Sequence, residues 1–352
     1  MVDCESMQQT NTVVDVFCGV GGLTHGFLKE GFNVVAGIDA DESCKYAFET
    51  NNKAIFISSK VEDIKAEDIS KMFGNSDIKI LIGCAPCQPF SQYSKLKDKD
   101  EKWKLLYDFL KLIKDTNPDL ISMENVPQLA KHKVFEDFVT GLKETGYFVT
   151  WYVLYAPDYG IPQKRRRLVL FASKFGEIKE PNKTHSPKSY KTVQKVLGKL
   201  EPIEAGIKNE EDVLHYASRL SDTNMKRIKH TPEGGGWKDW DKELLLKCHK
   251  KKSGKTFSSV YGRMRWDDQS PTITTEFMSL GTGRFGHPDQ DRAISLREAA
   301  LLQTFPKYYK FIEPKSKWYY KNVERHIGNA VPVRLGRIIA RSLKSHIDEY
   351  NG

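Results

Sequence analysis

The sequence predicts an α/β protein, an open doubly wound sheet joined to a smaller loop-rich domain. Three observations carry this. Short apolar strand patterns alternate with helical patterns through the first half of the chain, a glycine-rich turn follows the first strand, and the alternation stops after Ser173. Such alternation builds a parallel sheet covered by helices on both faces.

Residues 12–17 (TVVDVF) form a β-branched and aromatic run that ends at a glycine cluster. A helix follows over 23–30, and Gly31 stops it. Residues 33–38 (NVVAGI) read as the second strand and 42–51 as a helix. Residues 78–82 (IKILI) are a buried strand, and 103–114 are amphipathic at helical spacing up to Asn117-Pro118. A strand at 120–123, a helix at 134–145 and a strand at 168–172 close the series. Beyond it, Pro-bearing polar stretches and the Gly234-Gly235-Gly236 run indicate loops and short strands. Helical pattern returns at 295–303 and 332–350. The expected division is a main domain of residues 10–175 plus 292–352, with a second domain at 176–291.

Composition excludes several classes. The 352 residues are 39% hydrophobic and 29% charged, which supports a packed core and excludes general disorder. No stretch approaches the ~18–20 consecutive apolar residues of a membrane span. The N-terminus is polar and does not read as a secretory signal, and six Cys fit a reducing cytosol. The net charge of +9 is unevenly placed: residues 174–265 hold 21 Lys and Arg against 12 Asp and Glu, and the remainder nets zero. A basic segment of this kind fits a polyanion partner, and equally a solvated lysine surface.

Four motifs stand at strand ends. Asp15-Val16-Phe17-Cys18-Gly19-Val20-Gly21-Gly22 joins the first strand to its helix, where free N–H groups favour an anionic ligand end. Asp39 ends the second strand, where a carboxylate can accept ribose hydroxyls. Gly83-Cys84-Ala85-Pro86-Cys87-Gln88-Pro89-Phe90-Ser91 has the Cys spacing of a redox pair or half a zinc site. The other Cys are scattered, so no metal site is expected. Cys87 is alternatively a nucleophile or a packed thiol. Glu124, in Met123-Glu124-Asn125-Val126-Pro127, sits at a buried strand tip, where open sheets bind ligands. Arg165 and Arg167 enter the strand at 168, and i, i+2 spacing on a strand would turn both to one side.

Together these motifs resemble the DNA cytosine-5 methyltransferases of bacterial restriction-modification systems. The resemblance rests on residues 15–22, 86–91, 124–126 and 163–167, on Arg297-Glu298 with Leu302-Gln303-Thr304-Phe305-Pro306, and on Gly328-Asn329-Ala330-Val331-Pro332. They follow the family's order and span nearly the whole chain, and residues 261–275 resemble a further stretch of many members. The resemblance implies a Rossmann-like, doubly wound mixed sheet of the methyltransferase type with a smaller target-recognition domain. It implies S-adenosylmethionine as cofactor, held by Phe17, Gly19, Val20, Gly21, Gly22, Asp39, Ala40, Val61, Pro86, Leu106, Asn329 and Ala330. Within that set, Phe17 would lie on the adenine, Asp39 would hold the ribose and Asn329 would approach the methionine end. Cys87 matches the nucleophile, Glu124 the acid that pairs with the target base, and Arg165 and Arg167 the basic pair beside them.

Two positions depart from the pattern. Lys60 stands before Val61 where an Asp usually reaches the adenine, with Asp63 nearby, and Ala40 stands where a large side chain usually packs. The implied partner is double-stranded DNA, bound by a cytoplasmic, nucleoid-associated monomer without contact to membranes. The charged segment 91–104 suits a loop closing over a flipped base. An RNA cytosine-5 methyltransferase and a non-catalytic DNA-binding regulator are the alternatives on this fold. A nicotinamide oxidoreductase shares only the glycine turn.

Overall fold

Nine apolar or β-branched segments form strands in the computed structural model, which describes residues 10–86, 100–251, 254 and 256–351. They are β1 (Asn11–Val16), β2 (Val34–Asp39), β3 (Ile55–Ser58), β4 (Ile78–Gly83), β5 (Leu120–Asn125), β6 (Phe148–Tyr155), β7 (Gln163–Lys164), β8 (Arg166–Ser173) and β9 (Ser270–Pro271). Seven make one sheet in the order β3-β2-β1-β4-β5-β8-β6. β1 to β5 pair in parallel, whereas β8 runs antiparallel to β5, so the sheet is mixed. Strand order reverses on either side of β1. In an open sheet, that switch point at the carboxyl ends is where ligands bind.

The helices are α1 (Gly22–Lys29), α2 (Lys45–Asn52), α3 (Ala66–Phe73), α4 (Asp100–Thr116), α5 (Lys133–Glu144), α6 (Val193–Leu197), α7 (Asp222–Lys229), α8 (Leu296–Leu302), α9 (Tyr320–Asn329) and α10 (Val333–Asn351). α1 packs on α2 and α10, while α4 packs on α3 and α5, two groups as a doubly wound sheet requires. Small residues allow the first contact. A Cβ on Gly26 of α1 would meet the Arg337 backbone N at 2.6 Å, and one on Gly336 of α10 would meet the Leu23 carbonyl at 2.9 Å. Phe109 of α4 and Phe138 of α5 stack at 5.9 Å within a core that includes Leu81, Ile121 and Leu170. No described helix is long and apolar enough to cross a membrane.

The chain divides into two compact units. One takes residues up to Leu154, Arg166–Asn182 and the chain from Val333; the other takes Tyr155–Arg165 and Lys183–Pro332. The expected boundary near residue 292 therefore falls at 333. Buried polar contacts explain the difference. Arg292 forms a two-bond pair with Glu298, both at 2.7 Å, and Arg297 donates to Asp212 at 2.5 Å. These tie α8 to the second unit.

Among the described residues that unit has little regular sheet, with β7 against β9, and is held by buried cations and rings. The Arg263 guanidinium donates to the carbonyls of Ile228, Thr231, His287 and Gln290 and pairs with Asp291. Trp237 stacks on buried His249 with centroids 4.4 Å apart. Among the lysines of its basic segment, Lys242, Lys247, Lys250 and Lys251 are exposed.

Candidate active site

The first part of the site is the turn after β1. Phe17, Gly19 and Gly21 all have left-handed φ, of 61, 51 and 84°. That conformation is strained for Phe17 and free for the glycines. The turn is fastened to β2: Cys18 N donates to the Ile38 carbonyl at 3.1 Å, and Gly19 N donates to Asp39 Oδ2 at 2.9 Å. The other Asp39 oxygen accepts from Asp41 N at 2.9 Å. Asp39 thus braces the turn from the tip of β2. A Cβ on Gly19 would meet no described atom within 4 Å.

Beneath the turn lies Asp15, 1% exposed. Its Oδ2 accepts from the Thr24 hydroxyl at 2.6 Å, while Oδ1 has no hydrogen-bond partner among the described residues. Burial pushes the Asp15 carboxyl up to about 7, with the Asp39 charge adding to the rise and the Thr24 bond opposing it. Burial, with Asp15 and Asp39 nearby, also pushes the Cys18 thiol well above its usual range, which makes it a packed thiol rather than a nucleophile.

The other expected cofactor residues lie on several elements. Phe17 is half-buried and meets Phe109 edge-on at 6.0 Å. Val61 opens the one-turn 3-10 helix Val61–Asp63 and is buried, as is Leu106 on α4. Ala40 and Pro86 are exposed, and so are Lys60 and Asp63 around that turn. Asn329 is the exposed last residue of α9 in the second unit, and Ala330 caps that helix while accepting from Gln303 Nε2 at 3.1 Å.

The second part gathers at the ends of β4, β5 and β8. Glu124 is 2% exposed, and its register partner on β8 is Val169. Arg167, two residues before Val169, places Nε 2.9 Å from Glu124 Oε1. The contact is an ion pair rather than an aligned hydrogen bond, so buried Oε1 remains without a hydrogen-bond partner among the described residues. Oε2 accepts from the Cys84 thiol at 2.8 Å. One residue on, Asn125 Nδ2 donates to the Ala85 carbonyl at 3.0 Å and joins the same two strand ends.

Of the residues expected to act together, Glu124 and Arg167 meet. Arg165 does not lie on β8, which begins at Arg166, so the i, i+2 alternation loses its premise. Arg165 is buried in the second unit, where Nη1 lies 3.4 Å from Gln163 Oε1 and 3.3 Å from the Ile273 carbonyl. Cys87 lies outside the described residues, as does segment 91–99. Residues 100–104, expected in a loop, belong to α4. The sequence reading missed Cys84 as a partner of Glu124; its only signal was the parallel register that sets Gly83 opposite Met123.

Comparison with known proteins gives this geometry a family. The model of the C-5 cytosine-specific DNA methylases matches residues 11–345. The chain is 53% identical over 339 residues to the Type II methylase M.HgiDII of Herpetosiphon aurantiacus, covering 96% of each. It is 30% identical to the Type II methyltransferase M.Sau96I of Staphylococcus aureus, covering 96% of this chain and 77% of that one. Among solved structures, the Entamoeba histolytica methyltransferase EhMeth shares the fold, with a TM-score of 0.64 at 17% identity over 97% of this chain and 99% of that chain. This chain belongs to the C-5 cytosine-specific DNA methylase family. It is a DNA cytosine-5-methyltransferase.

Proposed function

We propose that the chain is the modification enzyme of a Type II restriction-modification system. It transfers a methyl group from S-adenosylmethionine to C5 of a cytosine flipped out of a specific double-stranded DNA sequence. The observation that carries this reading is Glu124: a buried carboxyl on a strand tip, paired with Arg167, with one oxygen lacking a hydrogen-bond donor among the described residues. A buried acceptor in that condition calls for a ligand group.

The residues of the β1 turn fit the cofactor. A Cβ on Gly19 would meet no described atom within 4 Å, Asp39 ends β2 beside the turn and accepts from Gly19 N, and buried Asp15 Oδ1 has no hydrogen-bond donor among the described residues. Phe17, Asp39, Val61, Leu106 and Pro86 would hold the nucleoside part. When bound, the cofactor supplies an electrophilic methyl group.

The chain's own residues do the rest. Cytosine C5 is a weak nucleophile. Addition of the Cys87 thiolate to C6 makes the ring an enamine, and C5 can then take the methyl group. A thiol of pKa ~8.5 is mostly protonated at neutral pH, so Cys87 needs cationic surroundings or removal of its proton. As C6 is attacked, negative charge grows toward N3. Glu124 stabilises it by giving or sharing a proton at N3, and Arg167 holds the carboxyl in place. Loss of the C5 proton and departure of the Cys87 sulfur restore the aromatic ring. The base must leave the duplex first, at a cost of a few kcal/mol. The protein does this as a cytoplasmic monomer at the nucleoid.

Methylation mapping of DNA from cells that express the protein tests the reading. One sequence context with every target cytosine methylated at C5 supports it. Unmodified DNA from cells containing the folded protein overturns it.

A further inference from the structure

The Glu124 carboxyl has two neighbours. Arg167 steadies it in the proposed mechanism, and the other neighbour is Cys84. Residues 83 and 123 are register partners of the parallel strands β4 and β5, so the residues that follow them, one just past β4 and one on β5, come to lie side by side. Those residues are Cys84 and Glu124, with Sγ and Oε2 2.8 Å apart. The thiol donates and the carboxyl oxygen Oε2 accepts.

A carboxyl turns freely about its last torsion, because that sp³–sp² rotation is broad. A single partner on one oxygen leaves the plane of the group poorly fixed. Here each oxygen has its own neighbour, on a different strand: Oε1 faces Arg167 of β8 and Oε2 faces Cys84 at the end of β4. The Asn125 to Ala85 bond at 3.0 Å keeps the two strand ends at a constant distance. The carboxyl plane is thereby set before a base arrives. That matters for a group that must meet one edge of a planar ring, since small misplacements of reacting groups lower rates sharply.

We infer that Cys84 is a positioning residue: its thiol orients the Glu124 carboxyl for the target cytosine. The inference rests on the role given to Glu124 above. It predicts a loss in turnover rather than in binding, and a loss that depends on Glu124 being intact.

The test measures transfer of labelled methyl groups from S-adenosylmethionine to unmethylated plasmid DNA. Wild type, Cys84→Ala, Cys84→Ser, Glu124→Gln and the Cys84→Ala/Glu124→Gln double variant are compared. Cys84→Ala should lower kcat about tenfold with KM for DNA and for cofactor within about twofold. Cys84→Ser keeps a donor and should recover most of the rate. In the Glu124→Gln background, Cys84→Ala should add no further loss. If Cys84→Ala does not fold, Cys84→Val, which fills the space with an apolar group and has no donor, takes its place with the same expected loss. Wild-type kcat in the donor-less variant overturns the inference, as does a full multiplicative loss in the double variant or a Ser variant as slow as Ala. An unimpaired Glu124→Gln single variant overturns the role of Glu124 itself and removes the basis for Cys84. An impaired Glu124→Gln beside an unimpaired Cys84→Ala overturns only the positioning role.

Discussion

Glu124 and Asp15 are both buried carboxyls, with different surroundings and different consequences. Glu124 has an arginine and a thiol within reach, and Glu124→Gln keeps the shape while removing the charge. Methyl transfer should fall by about 10²-fold or more while DNA affinity changes little, since the charge it stabilises exists mainly in the transition state. Single-turnover rates set beside equilibrium binding check this. Asp15 has no cation partner among the described residues and is held near 7 by burial, and buried Glu324 is pushed up to about 7 for the same reason. Both retain a proton over a pH range in which the unfolded chain has lost it. Their contribution to stability is therefore full below about 4 and is lost as pH rises through 7. Asp15→Asn should flatten part of that decline, as read from urea midpoints between pH 5 and 8. Glu298, held down at about 2 by Arg292 against the opposing effect of burial, has the opposite sign: its contribution is present above about 4.5 and disappears as pH falls through 2.

Among the elements, α1 and α10 show how a close approach depends on two hydrogens. Gly26→Ala and Gly336→Ala would each drive a methyl group into facing backbone, at 2.6 and 2.9 Å. Backbone cannot turn aside as a side chain can, so each change should cost about 1–3 kcal/mol in denaturant unfolding, with little change in m. Neither approach was legible in the sequence, because the two segments lie some three hundred residues apart. The strands β1, β2, β4, β5 and β8 were legible, because burial on both faces gives them continuous apolar runs. β3 and β6 were missed for the converse reason. They are the edges of the sheet, and Ile55, Phe148, Trp151 and Val153 are exposed on them, so no buried run marks them. α9 escaped because its pattern is charged and ends in the Gly328-Asn329 motif. Glu124 and Arg167 were found by motif and the structure joins them, whereas Arg165 departs from its expected side because the chain breaks strand at that residue. There Ala156 N donates to the Arg165 carbonyl at 2.8 Å, a bond that residue spacing cannot reveal.

For the whole molecule, the uneven charge is the quantity that bears on DNA. The second unit carries most of the basic segment, and its arginines and lysines are used differently. Arg263, within the basic segment, is buried among carbonyls and cannot serve a phosphate. Lys250 and Lys251 are exposed in the densest lysine run of the chain; Lys252 lies outside the described residues. Replacing Lys250 and Lys251 with Ala should weaken binding to target and random duplexes together. The slope of log affinity against log salt should become shallower by about 0.9 for each phosphate that the variant no longer neutralises. Preference for the target sequence should survive, because phosphate contacts orient a protein on DNA without reading bases. Titrations of both duplexes across a salt series, for wild type and the double variant, give slope and preference in one experiment. An unchanged slope would put this run away from the DNA and move the search to other exposed lysines of the unit, such as Lys242 and Lys247. A changed preference at an unchanged slope would instead mean that these side chains reach base edges.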